Sequence, residues 1–303
     1  MTLYTTADRN RLNSFVLLTV FLVLAIAVAW VIGYAYDITW LLPFVVVISS
    51  IQSFVAYYYS DTVALAVARA KPVTREENPT LHRLIENLAI TAGLPKPKLY
   101  IIDDSAPNAF ATGRDPSHAS IAVTLGLLDK LDKPELEGVL AHELSHVGNY
   151  DIRFQSMVVV LVGVVTMISD FLLRHMWWGG RSSSSDEGGQ AKAILMIIGI
   201  ALAILAPLIA TLLQLAISRK REFLADSTGA LLTRYPEGLA SALHKISADT
   251  EPLEVANKGT AHLYFANPLK NADGSQSWLQ RLFSTHPPAD ERIAALLAGV
   301  GKE

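Results

Sequence analysis

Residues 132–151 read Asp-Lys-Pro-Glu-Leu-Glu-Gly-Val-Leu-Ala-His-Glu-Leu-Ser-His-Val-Gly-Asn-Tyr-Asp. Asp132 followed by Lys133 and Pro134 is a helix start, with an acid able to cap and a proline in the first turn. The helix it opens runs to about Gly148 and carries His142-Glu143-Leu144-Ser145-His146, an H-E-x-x-H pattern. Four residues advance an α-helix by roughly 400°, so both imidazoles leave one face and can share a metal ion. Glu143, between them, stands where it can take a proton from water on that metal. Chains of this composition produce the pentapeptide by chance about once in a hundred.

Two imidazoles do not complete a reactive metal site; a third protein ligand is needed, with a further position left to water. The chain of 303 residues contains no cysteine, so the remaining ligand comes from the other histidines or the carboxylates. Glu222 stands out within Arg221-Glu222-Phe223-Leu224-Ala225-Asp226, a helical segment that follows an apolar block. Asp226 lies one turn beyond Glu222 on the same face. There it can accept the second ring N–H of His142 and hold that ring in one tautomer.

Charged residues make up 17% and hydrophobic residues 51% of the chain, and the mean hydropathy is +0.33. That excludes a disordered chain and argues against an ordinary soluble enzyme. A net charge of −3 gives no electrostatic case for nucleic acid. The apolar excess is concentrated in four blocks, at 12–36, 38–60, 157–173 and 193–218. The first two exceed the roughly 20 residues that cross about 30 Å of hydrocarbon, and only Asp37 separates them. Trp30, Trp40 and Tyr57 to Tyr59 lie near their ends, as interfacial rings do. The first block is too long for the apolar region of a signal peptide. The third block is marginal because of Asp170, whereas the fourth contains Pro207 but no charge.

Arg9 and Arg11 precede the first hairpin, and Arg69, Lys71 and Arg75 follow it. The positive-inside rule therefore predicts a cytoplasmic N-terminus. His142 and Glu222 can meet only if the third and fourth blocks both cross or neither does; two crossings are expected, with a re-entrant hairpin as the alternative. The remaining chain reads as a helix at 78–93, strands at 98–103, 109–112 and 120–124, and helices at 220–233, 236–247 and 287–299. The predicted fold is a mainly α membrane protein with four transmembrane helices in two hairpins. A split cytoplasmic α+β zincin-like domain with a small sheet completes it. Its parts are an N-terminal tail and first hairpin (1–67), the H-E-x-x-H part (68–155), the second hairpin with an exposed Gly/Ser loop (156–218), and the part carrying the third ligand (219–303).

His-Glu-Leu-Ser-His with Val-Gly-Asn-Tyr-Asp, then Arg-Glu-Phe-Leu-Ala-Asp, then His286-Pro287-Pro288 with Arg292-Ile293, resembles the HtpX family of membrane zinc metalloproteases, relatives of the CAAX prenyl protease. The resemblance implies one zinc ion per subunit on His142, His146 and Glu222, with Glu143 as general base. It further implies an endopeptidase of the bacterial inner membrane, multi-pass, with its active site facing the cytoplasm. Its protein substrates would be damaged or misfolded membrane proteins. His286 resembles a family histidine beside the zinc, where it could stabilise an oxyanion; the alternative is that His-Pro-Pro begins a helix and the imidazole is structural. Asn108, in Pro-Asn-Ala-Phe-Ala-Thr-Gly, resembles a segment expected to form an edge strand near the site and bind substrate; the alternative is a loop residue that caps a turn. Arg292 either pairs with Asp226 or Glu222 or is a solvated helix residue. His82, His118, His175, His244 and His262 read as surface or core residues, and Asn149 and Asp151 as the end of the motif helix. Two rivals remain. One is an intramembrane site-2-type protease, which the charges of Asp132, Glu135, Glu137 and Asp151 around the motif disfavour. The other is a non-enzymatic metal-binding scaffold.

Overall fold

Two long apolar helices begin the chain in the computed structural model, which describes residues 3–36, 39–162, 219–256, 260–268 and 287–298. Helix α1 (Leu3–Tyr36) and helix α2 (Leu41–Tyr58) pack as a hairpin. At Tyr59 the chain bends by 78° into α3 (Ser60–Val67). The second apolar block is therefore not one straight rod. Among the described residues no single helix is both long and apolar enough to cross a membrane; the bent pair Leu42–Tyr58 and Ser60–Val67 is long and apolar enough taken together. The third block from residue 163 onward, the whole fourth block and the Gly/Ser loop lie outside the described residues.

A four-stranded sheet follows: β1 (Lys71–Pro72), β2 (Lys98–Ile102), β3 (Ala109–Gly113) and β4 (Ala119–Thr124), in the order β1-β2-β4-β3. β2 and β4 are parallel, and β1 and β3 pair antiparallel to their neighbours. Three of these strands match the sequence expectation to within a residue. β1, two residues long, has no alternating pattern to betray it.

The sheet is covered on both faces, which is why β3 and β4 are buried at every position. Leu99, Ala109, Ala111, Ala119, Ile121 and Val123 point to one side, onto α4 (Pro79–Ala92) and α6 (Lys133–Gly148). Ile102, Phe110 and Ala122 point to the other, onto α3 and the segment around Leu263 and Tyr264. The short helix α5 (Leu125–Lys130) leads from β4 towards α6. Helix α4 is delimited by its own residues: Asn78 caps the Leu81 N–H, Pro79 occupies the first turn, and Gly93 closes it at φ +66°.

Helix α6 is fixed at its start by a reciprocal capping box in which Asp132 accepts from Glu135 N and Glu135 accepts from Asp132 N. The Glu135 carboxylate also binds Ser241 and Lys245 of α9 (Pro236–Ala248), so the same residue ties the helix start to its neighbour. Next to α6 runs α7 (151–162), whose Phe154, Met157, Val158 and Leu161 pack against Leu17, Phe21 and Ala56 of the first hairpin. Helix α8 (Arg219–Thr233) crosses α6, and α10 (Ala289–Ala298) packs on α9 and α8.

Candidate metal centre

Helix α6 sets two imidazoles one turn apart, and their Nε2 atoms stand 3.1 Å from each other. Glu222 enters from α8, with Oε1 at 3.6 Å from His146 Nε2 and Oε2 at 3.8 Å from His142 Nε2. The three ligand atoms all lie within 4.8 Å of one another, and all three residues are buried. Neighbouring ligands of a tetrahedral zinc ion with bonds of about 2.0–2.1 Å stand a little over 3 Å apart, so the spacing suits one ion of that size.

The approach of α8 to α6 depends on Gly229, which lies two turns beyond Glu222 on the same face. A Cβ there would sit 3.0 Å from His142 N and 3.2 Å from His142 Cα. Without a side chain at this position, the acidic face of α8 can rest against the backbone of the motif helix.

Each imidazole is held from behind by a carboxylate. His142 Nδ1 donates to Asp226 Oδ1 at 2.9 Å, and His146 Nδ1 donates to Asp151 Oδ2 at 3.0 Å. With both Nδ1 hydrogens so engaged, the Nε2 lone pairs and the Glu222 carboxylate converge on one point. That donor set fits a divalent cation. Asp151 reaches His146 because Tyr150 adopts a left-handed conformation, φ +60°, which turns the chain back just past the helix end. From sequence alone Asp151 reads as a helix terminator; its place against His146 follows from the Tyr150 turn. An acid five residues beyond the second histidine, just past a helix end, is the pattern that could have revealed it.

Arg292 is 1% exposed and grips Asp226 with both ends of its guanidinium, Nε to Oδ2 at 2.8 Å and Nη2 to Oδ1 at 2.6 Å. Its Nη1 donates to the Phe265 carbonyl at 3.1 Å and stands 3.8 Å from Glu222. The Phe265 ring packs edge-on to His142 and under the guanidinium, whose carbon is 4.8 Å from the ring centroid. Phe265 is a site neighbour that no sequence pattern announced.

The electrostatics follow from burial set against these partners. Burial presses His142 down to about 4 despite Asp226. Burial opposes charge on His146 too, but the Asp151 hydrogen bond and the nearby Glu222 prevail and raise it to about 9. Burial lifts Glu143 to about 7, against the pull of His146. Burial likewise opposes ionisation of Asp226, but Arg292 holds that carboxyl below the usual range.

Glu143 accepts a hydrogen bond from the Ala111 N–H of β3, the outer strand of the sheet. Asn108, just before that strand, exchanges hydrogen bonds with the Ala266 main chain, Nδ2 to O at 3.0 Å and N to Oδ1 at 3.2 Å. Phe265 N donates to Ala109 O at 2.8 Å, so the start of the outer edge of β3 is paired within the chain. His286 lies outside the described residues. His262 is buried, with Nε2 at 3.0 Å from the Gln155 carbonyl, away from the His142–His146 pair.

A buried His-His-Glu cluster with a glutamate between the histidines defines the class of a metallopeptidase. The chain belongs to peptidase family M48, whose model matches residues 75–300. Within that family it resembles proteins described as "Protease HtpX homolog". The one from Tropheryma whipplei (strain Twist) is 44% identical over 295 residues, covering 97% of both chains. The one from Pyrococcus furiosus is 45% identical over 251 residues, covering 82% of this chain and 83% of its own. Among solved structures, the crystal structure of S. mikatae Ste24p is similar over 97% of this chain and 66% of that one, at 18% identity and a TM-score of 0.49.

Proposed function

We propose that this protein is a membrane-integrated zinc endopeptidase. The observation that carries the reading is the convergence of His142 Nε2, His146 Nε2 and a Glu222 oxygen with each Nδ1 already committed to a carboxylate. His142, His146 and Glu222 would hold a zinc ion, which when bound would supply Lewis acidity to water and to the scissile carbonyl. Glu143 accepts the proton from the attacking water and passes it to the leaving amine. Burial raises its carboxyl to about 7 in the metal-free protein. Asp226 and Asp151 keep the two imidazoles in the tautomer that presents Nε2, and Arg292 keeps Asp226 ionised. His286 is a further candidate for holding the oxyanion. β3 is the strand along which an extended substrate would lie, with Asn108 fixing its start.

The membrane setting is supported by the exposed apolar surface of the first hairpin. Trp30, Tyr34, Trp40, Phe44, Val47, Ile51 and Phe54 stand exposed, a surface far more apolar than water favours. The Lys and Arg flanks support a cytoplasmic N-terminus and active site, and the resemblance to HtpX supports a bacterial inner membrane as the setting. On this reading the chain divides into a first hairpin (1–67), two catalytic parts (68–155 and 219–303) and the apolar segment 156–218 between them. Damaged or misfolded membrane proteins are the substrates that this setting and the resemblance to HtpX support.

The test is cleavage of casein, an unfolded substrate, by the zinc-loaded full chain in detergent. Wild type should cut and a chelator should stop it. Glu143→Gln should retain zinc yet lose cleavage, and an E143Q protein that still cuts would sink the assignment. Absence of cleavage by wild type that binds stoichiometric zinc would favour the scaffold.

A further inference from the structure

Asp151 is fully buried, and both of its carboxylate oxygens are engaged. Oδ2 accepts from His146 Nδ1, while Oδ1 accepts from Asn10 Nδ2 at 2.7 Å and from Arg221 Nε at 3.1 Å. The same Asn10 nitrogen also donates to the Asn149 carbonyl at 2.9 Å. Both hydrogens of the Asn10 amide are therefore spent, one on each acceptor. Turning the amide over would set its oxygen against two acceptors, so its orientation is determined. Asn10 is 3% exposed and lies on α1, far from the motif in sequence. Two turns further along the same helix, Leu17 packs among the α7 residues Phe154, Met157 and Val158. The first helix thus meets the peptidase unit through an apolar seam and, nearer its N-terminal end, through the Asn10 amide.

We propose that Asn10 is a positioning residue for the metal centre, so that the first helix supplies part of the hydrogen-bonding that orients His146. The inference rests on the metal-site reading above. A carboxylate with one donor can rotate about its Cβ–Cγ bond. Here donors from α1, α6 and α8 hold Asp151 from three directions. Rotation of Oδ2 away from His146 Nδ1 frees the ring to carry its proton on Nε2, and an Nε2-protonated imidazole is no ligand. Removing an outer partner of this kind typically weakens metal binding by roughly 10–100-fold. A helix that did no more than brace the fold would lower stability without touching the ligand field.

The experiment compares Asn10→Ala, Asn10→Ser and Leu17→Ala in the full chain in detergent. Three readouts are taken: the visible absorption spectrum of Co(II) added as the probe metal, zinc affinity by chelator competition, and thermal melting. N10A should lose about tenfold in zinc affinity and shift the Co(II) bands. L17A should melt earlier with the spectrum and affinity of wild type. N10S, which keeps one donor, should fall between wild type and N10A; if N10A does not fold, N10S against L17A decides. Combining N10A with Asp151→Ala should cost no more affinity than D151A alone. Wild-type affinity and spectrum in N10A or N10S would overturn the proposal, as would an equal loss of affinity in L17A. A wild-type chain that takes up no Co(II) would overturn the metal-site reading itself, before any variant is compared.

Discussion

Replacing Gly229 by alanine tests whether the crossing of α8 over α6 builds the metal centre. The added Cβ would meet His142 N at 3.0 Å, His142 Cα at 3.2 Å and Ala141 C at 3.3 Å, all of them backbone atoms. Contacts this tight require a neighbour to give by a few tenths of an ångström, and here the neighbour is the backbone of the motif helix. Two effects oppose each other in stability. Alanine in a helix interior gains about 1 kcal/mol over glycine, and overpacking typically costs about 1–3 kcal/mol. The expected net loss is therefore small, roughly 0–2 kcal/mol. The metal centre has less room to adapt. Asp226 and Glu222 lie one and two turns from Gly229 on the same face of α8, so they move with it. Metal–ligand distances tolerate only about ±0.2 Å, and a shift of a few tenths exceeds that. Zinc affinity should fall roughly tenfold or more, by analogy with lost outer partners, while the melting temperature changes by only a few degrees. Chelator competition and a melting curve on the same preparation read both quantities. A G229A protein that is stabilised and binds zinc as tightly as wild type would refute the reasoning, because the crossing would then have slack.

Arg292→Met should destabilise the metal-free protein by about 3–5 kcal/mol, the usual cost of stranding a buried partner. Asp226 loses two donors and Glu222 its nearby cation; denaturant unfolding measures the loss, and added zinc should narrow the deficit because the ion restores positive charge beside Glu222. An R292M protein as stable as wild type without metal would contradict the role given to Arg292. Glu135→Gln tests the start of α6 through its pH dependence. Burial raises the Glu135 carboxyl, but its hydrogen bonds to Lys245, Ser241 and Asp132 outweigh burial and leave it below the usual value. A carboxyl depressed in the folded state stabilises it above the unfolded value near 4.3, and that contribution is lost as pH falls through the folded value. Wild type should therefore exceed E135Q in stability at pH 7, with the gap closing below about pH 4; a gap independent of pH would exclude the charge as its source.

Much of the fold is legible in local sequence because it is encoded at short range. Asn78 with Pro79 and Asp132 with Glu135 mark helix starts, since each cap satisfies N–H groups within three residues of itself. The strands at β2, β3 and β4 show apolar, β-branched and small residues between turns. β1 is invisible in this sense, because two residues paired to Ile101 and Tyr100 carry no period. The bend at Tyr59 is equally silent: the apolar run 38–60 is continuous in composition, but the chain turns there so that Ala64 and Leu65 can cover the sheet. What an apolar run cannot report is whether lipid or a strand lies against it.

For the site, the division follows the range of each interaction. The helical period alone set His142 and His146 on one face and put Glu143 between them. The same period put Asp226 one turn from Glu222. None of this brings α8 to α6: that meeting depends on a glycine contact between helices remote in sequence, and the His142–Asp226 bond exists only once it is made. Arg292 could be read equally as a partner or as solvated, because burial and not sequence separates those states. Asp151 depends on one left-handed residue, Tyr150, and Asn10 on the docking of α1 against α7. The placing of His142 and His146 on one face was therefore determined by the sequence at the scale of one helical turn. The carboxylates and amides that orient them were decided by tertiary structure, because a hydrogen bond across the fold has no short-range period to betray it.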